Sequence, residues 1–113
     1  MENIEYVNIV TKVLMDKLAS DIKIIDIREK ATFADYFVLA TGSSDRQINN
    51  LVDYIEDELA KYDLLPKSVE GKSGTGWILM DFGDIVVNLF TDELREKYNL
   101  EKVWGDCPIT VVD

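Results

Sequence analysis

Apolar residues recur at three- and four-residue steps from Asn3 to Ala19, where Ile4, Val7, Val10, Val13, Leu14 and Leu18 mark one stripe. That period predicts an amphipathic helix. Ile22-Lys23-Ile24-Ile25-Asp26-Ile27-Arg28 is short and rich in β-branched residues, which predicts a strand. Asp35-Tyr36-Phe37-Val38-Leu39-Ala40-Thr41 is apolar on both alternating faces, the pattern of a central strand covered on two sides. Gly42-Ser43 ends it. Ser44 then offers the short hydroxyl of a helix N-cap, and Gln47, three residues on, is placed to return the bond as a capping box. Ile48, Leu51, Val52, Ile55 and Leu59 form the stripe of this second helix, while Asp53, Glu56, Asp57 and Glu58 leave its other face acidic. Leu64-Leu65-Pro66 closes the unit, Lys67 to Glu70 reads as a short extended piece, and Gly71 to Gly76 as a flexible loop on composition.

The most informative stretch follows. Trp77 to Phe82 and Ile85 to Phe90 are two strand-like runs joined by Gly83-Asp84. Glycine at the first of two turn positions is the mark of a type II′ hairpin. The register then sets Phe82 opposite Ile85, Met80 opposite Val87 and Ile78 opposite Leu89, a wholly apolar face fit for a core. On the other face Trp77 meets Phe90, Leu79 meets Asn88 and Asp81 meets Val86. Such a mixture of large apolar groups with an Asp and an Asn suits a surface that meets another protein. The competing expectation is that the first helix or the C-terminal tail covers it within the chain. Thr91-Asp92-Glu93 caps a last short helix, after which Tyr98, Leu100, Val103 and Trp104 return apolar weight. The strand-to-helix unit in the middle implies some parallel pairing and the hairpin is antiparallel. The class is therefore α/β with a mixed sheet and flanking helices, in one domain over residues 1–113.

Composition narrows what such a domain does. Twelve Lys and Arg against 22 Asp and Glu give a net charge of −10, which argues against wrapping nucleic acid phosphates and fits a basic partner. Histidine is absent, so Ser-His-Asp and Cys-His nucleophile chemistry are excluded. Cys107, the single cysteine, leaves no internal disulfide and no cysteine metal cluster, and it has no basic neighbour to activate its thiol. The acidic start Met1-Glu2-Asn3-Ile4-Glu5 resembles neither a secretory signal nor a transit peptide, and no run approaches the ~20 apolar residues of a membrane span. A cytosolic protein is expected, bound to neither DNA nor membrane.

Two motifs come close to chemistry. Gly71-Lys72-Ser73 imitates the end of a phosphate-binding loop, but Pro66 stands where the first glycine is required and Trp77 opens a strand rather than a helix. Gly42-Ser43 sits at a strand-to-helix junction where backbone amides can hold an anion, and with downstream aspartates it resembles the layout of a nucleotidyltransferase. Such an enzyme needs two or three carboxylates aimed at one pair of metal ions. Asp81 on a strand and Asp84 in a turn do not share a face, and nothing in the spacing brings Asp26 or Asp35 to them. No catalytic or metal-ligating residue and no cofactor are expected, and Ser43 and Ser44 read as structural caps.

In order and spacing, the segments 35–42, Ser44-Asp45-Arg46-Gln47, Glu70-Gly71, 76–90 and 100–104 resemble the Iojap family, the ribosomal silencing factors. The resemblance runs from about Val10 to Pro108, with two departures: members usually carry His where Asn88 stands and Ala where Cys107 stands. It implies a fold similar to nucleotidyltransferases without catalysis, and homodimers off the ribosome. It also implies binding to the large ribosomal subunit at its ribosomal protein fourteen (uL14), which blocks subunit joining and lowers translation when nutrients are scarce. The mixed hairpin face is the expected docking surface. Trp77 and Phe90 serve as anchors, Leu79 and Val86 as packing, Asp81 and Asn88 as polar contacts, with Asp84 and Tyr98 at the border. Arg46 is expected to tie the second helix to the domain. The rival readings are a small metal-dependent nucleotidyltransferase and a generic acidic adaptor.

Overall fold

The computed structural model describes residues 1–71 and 74–112. Lys72 and Ser73, in the glycine-rich loop and its near-motif, lie outside the described residues. The elements run α1 (Asn3–Asp16), β1 (Ser20–Asp26), β2 (Tyr36–Gly42), α2 (Asp45–Ala60), β3 (Ser68–Glu70), β4 (Trp77–Asp81), β5 (Ile85–Thr91), α3 (Asp92–Lys97), α4 (Leu100–Val103) and β6 (Ile109–Val111). One six-stranded sheet in the order β3-β4-β5-β2-β1-β6 carries them. Only β2 and β5 pair in parallel, with Tyr36 beside Ile85 and Gly42 beside Thr91; the other pairs are antiparallel. The class is mixed α/β, as the pattern of elements predicts.

All seven residues of β2 are buried, in keeping with apolar weight on both its faces and its place inside the sheet. On the first face, α1 and α2 pack their stripes onto Ile22, Ile24, Val38, Ala40, Ile78, Met80, Val87 and Leu89, forming the larger core. The hairpin adopts the expected register, Trp77 opposite Phe90 through Asp81 opposite Val86. Gly83 takes φ +92°, a left-handed conformation that side chains resist, and the Phe82 amide donates to the Ile85 carbonyl at 2.9 Å.

Helix ends depart from expectation in instructive ways. The first helix stops at Asp16 rather than Ala19, because Leu18 turns left-handed (φ 65°) and the Ala19 amide reaches back to the Leu14 carbonyl. Leu18 therefore leaves the apolar stripe and is 82% exposed. At α2 the Gln47 amide donates to Ser44 Oγ at 3.1 Å, as a cap should. The Gln47 side chain, however, accepts from the amide and hydroxyl of Ser43, not from Ser44. Arg46 is exposed, and among the described residues no ion pair ties it to the domain, contrary to expectation. The last strand, β6, was not anticipated: it is only three residues long and follows a proline, and its place beside β1 is a long-range choice.

Candidate functional site

The second sheet face is built in cross-strand rows, because partners across a ladder point the same way. Asp81, Val86, Phe37 and Ile25 form the row nearest the hairpin turn; Leu79, Asn88, Leu39 and Lys23 the next; Trp77, Phe90 and Thr41 the third. This face has its own smaller core of Ile25, Ile27, Ala34, Phe37, Leu39, Val86, Phe90 and Cys107, against which Leu94, Leu100 and Trp104 pack. The chain after β5 thus folds back across β5, β2 and β1. It leaves β4 as the open strip, where Trp77, Leu79 and Asp81 are each half-buried.

A charged clasp fastens this covering segment. Arg95 of α3 is buried, donates to Thr41 Oγ1 at 3.1 Å, and lies 3.4 Å from Asp21 and 3.3 Å from Glu101. Glu101 of α4 also receives Lys23 at 3.1 Å. Burial pushes the Glu101 carboxyl up, but the hydrogen bonds from Lys23 and Arg95 together outweigh it and hold the group below its ordinary range.

The expected contact residues therefore divide. Phe90 has no exposed surface, Asn88 is 1% exposed and Val86 is buried, so the chain itself already encloses all three. Phe90 as a surface anchor, Val86 as surface packing and Asn88 as a polar contact are corrected accordingly: they shape the floor from below. Of the competing expectations, covering by the C-terminal segment is seen on one side of the face, and β4 is left open. Trp77 is sandwiched, its ring 5.1 Å from Phe90 at 26° and 4.9 Å from Tyr98 at 36°, and its indole N–H donates to Asn88 Oδ1 at 3.1 Å. The Asn88 Nδ2 group is enclosed without a partner among the described residues. Leu79 and Trp77 floor a shallow apolar depression with Glu70 at its rim, and Asp84 stands exposed in the turn.

The carboxylates do not assemble a metal centre. Asp81 and Asp84 lie at the turn end of the hairpin, whereas Gly42 pairs with Thr91 at the far end of β5. Six residues of strand separate the two ends, about 20 Å at the usual rise. Asp26 is taken up by Arg28, whose guanidinium donates at 2.9 and 2.7 Å and holds that carboxyl below its ordinary range. Among the described residues no group of three or more acidic or cysteine side chains converges as metal ligands would. The pocket beside Ser43 and Ser44 is lined by Asp45, Asp92 and Glu93, which repel an anion rather than hold one. Among the described residues, too, no helix is long and apolar enough to cross a membrane.

Sequence reasoning missed one part of this face. Phe33, in the loop before β2, leans on Phe37 (centroids 6.1 Å apart) and Trp104 (6.3 Å), yet is 61% exposed. The available signal was an aromatic residue in a polar loop.

Fold and face together define a small α/β domain with a mixed six-stranded sheet, the two long helices on one side and, on the other, an apolar surface partly covered by the two short ones. A family model described as "Ribosomal silencing factor during starvation" matches residues 1–113, and the chain belongs to that family. It is 39% identical over 98 residues to the ribosomal silencing factor RsfS of Bacillus subtilis, covering 87% of this chain and 83% of the relative. It is also 32% identical over 102 residues to the mouse protein named "Mitochondrial assembly of ribosomal large subunit protein 1", covering 87% of this chain and 44% of that one. A crystal structure from Chromobacterium violaceum superposes with a TM-score of 0.89 at 26% identity, over 100% of this chain and 94% of the other.

Proposed function

We propose that this ribosomal silencing factor docks on the large ribosomal subunit at ribosomal protein fourteen through the open β4 face. Bound there, it excludes the small subunit by occupying space, and no chemistry is required of it. The observation that carries the reading is the open strip itself: Trp77 and Leu79 lie half-exposed and apolar, with Asp81, Asp84 and Glu70 beside them, in a chain of net charge −10. Apolar anchors within an acidic frame fit an exposed basic protein and are repelled by bare RNA. The name of the mouse relative, which refers to the large subunit, supports the same partner. The protein acts in the cytoplasm on this reading, and the same open face serves self-association off the ribosome, so that dimer and subunit compete for it.

Co-sedimentation with isolated large subunits tests the docking, and a joining assay with purified small subunits tests the consequence. Trp77→Ala removes the central ring, and Leu79→Arg places a positive charge against a basic partner at a half-buried position of β4. Binding falls by ~10-fold or more in both if Trp77 and Leu79 are interface anchors. Undiminished binding by both folded variants removes the hairpin face from the interface. Capture also weakens as ionic strength rises, while the fold is little changed.

A further inference from the structure

The open strip on β4 is small for the role it is given. A stable protein interface takes about 800 Å² from each partner, on the order of 20–30 residues, and β4 offers Trp77, Leu79 and Asp81. The surface must continue, and its direction is set by what closes it. Beside Trp77 stands Tyr98, so the row at that end is walled. At the turn end, past the half-buried Asp81 and the exposed Asp84, lies the loop before β2, where Phe33 and Trp104 meet over the buried Phe37.

Of the four phenylalanines, only Phe33 is exposed. Its ring is held by two aromatic neighbours, and its loop is fastened at both ends. The Lys30 and Ala31 amides donate to the Ile27 carbonyl, and the Asp35 amide donates to the Asp84 carbonyl at 2.7 Å. That last bond draws the hairpin turn beside the Phe33 loop. A rigid exposed ring costs little ordering entropy on binding, which is what an anchor needs. The charge on the hairpin side of the loop is acidic: Asp81 is half-buried beside the turn and Asp84 stands exposed in it, whereas the Asp35 carboxylate turns to Asn3 of α1. Arg28 is occupied by Asp26 and lies over Tyr36, which belongs to the other face. Lys67 leans over Gly83, and Lys30 and Lys102 stand exposed three residues before Phe33 and two before Trp104.

We propose that Phe33, seated on Phe37 and Trp104, is a second anchor of the docking surface, and that it receives an apolar group on a basic segment of the same protein partner. The inference rests on the β4 reading and extends it past the hairpin turn to the loop before β2. Phe33→Ala and Phe33→Glu test it in quantitative binding to isolated large subunits, with Trp77→Ala run alongside and thermal melts confirming each fold. Both Phe33 variants lose ~10-fold or more in affinity while melting close to the parent, as truncation of a central aromatic anchor does. The Glu variant separates anchoring from simple charge attraction. Were charge alone responsible, an added carboxylate would strengthen capture of a basic partner. Parental binding by Phe33→Ala beside impaired Trp77→Ala overturns the second anchor and leaves the β4 reading standing. Parental binding by all three overturns both.

Discussion

Phe90 decides between two views of the hairpin face, and Phe90→Leu is the variant that separates them. Its ring has no exposed surface and stacks on Trp77 at 5.1 Å, so its contribution belongs to folding rather than to docking. Leucine keeps most of the apolar burial but loses the ring pair, worth about 1 kcal/mol. The changed shape leaves unfilled volume among Trp77, Leu39 and Leu94, costing roughly another 1 kcal/mol. The sum, ~2 kcal/mol, is a sizeable part of the ~5–15 kcal/mol that holds a domain folded. For a chain of this length it corresponds to a melting temperature lower by roughly 8 °C. Urea denaturation followed by tryptophan fluorescence reads the loss, and co-sedimentation below the transition reads docking, which stays near the parental level. A variant as stable as the parent but impaired in binding would refute the assignment of Phe90 to the interior.

Three further outcomes follow from particular contacts. Asn88→Leu removes the acceptor for the Trp77 indole but also the unpartnered Nδ2 group, whose burial costs ~1–3 kcal/mol. Stability should therefore change by less than ~1 kcal/mol in urea titration, and a loss above ~2 kcal/mol would mean that Nδ2 is satisfied in solution. Glu101 has a folded-state pKa below its ordinary 4.5, so its clasp contributes stability above that pH and loses it as pH falls through the folded value. Glu101→Gln should flatten the fall of melting temperature between about pH 5 and pH 3, and an unchanged acid limb would count against the clasp. Leu18, left-handed at φ 65° and 82% exposed, should gain up to ~1 kcal/mol on substitution by Gly, read as a higher melting temperature; a lower one would show that its side chain packs.

Much of this fold is written locally. Gly83 and the alternation on either side of it specify the hairpin register residue by residue, because a slip of one position would turn Met80 and Val87 out of the core. The doubly apolar run of β2 announces an interior strand, and the stripes of α1 and α2 announce the side that covers it. Composition alone sets the net charge and the lack of histidine, and with them the chemistry and partners that are disfavoured. Other features depend on residues far apart in the chain. That β6 borders β1, that Arg95 reaches Thr41 and Glu101, and that Leu94, Leu100 and Trp104 pack on the smaller core are choices of tertiary packing. A mixed face looks the same in sequence whether its own chain or another protein covers it, since both bury the same apolar groups. Only the folded arrangement shows that Val86, Asn88 and Phe90 are buried while Trp77 and Leu79 are part-exposed and Phe33 is exposed.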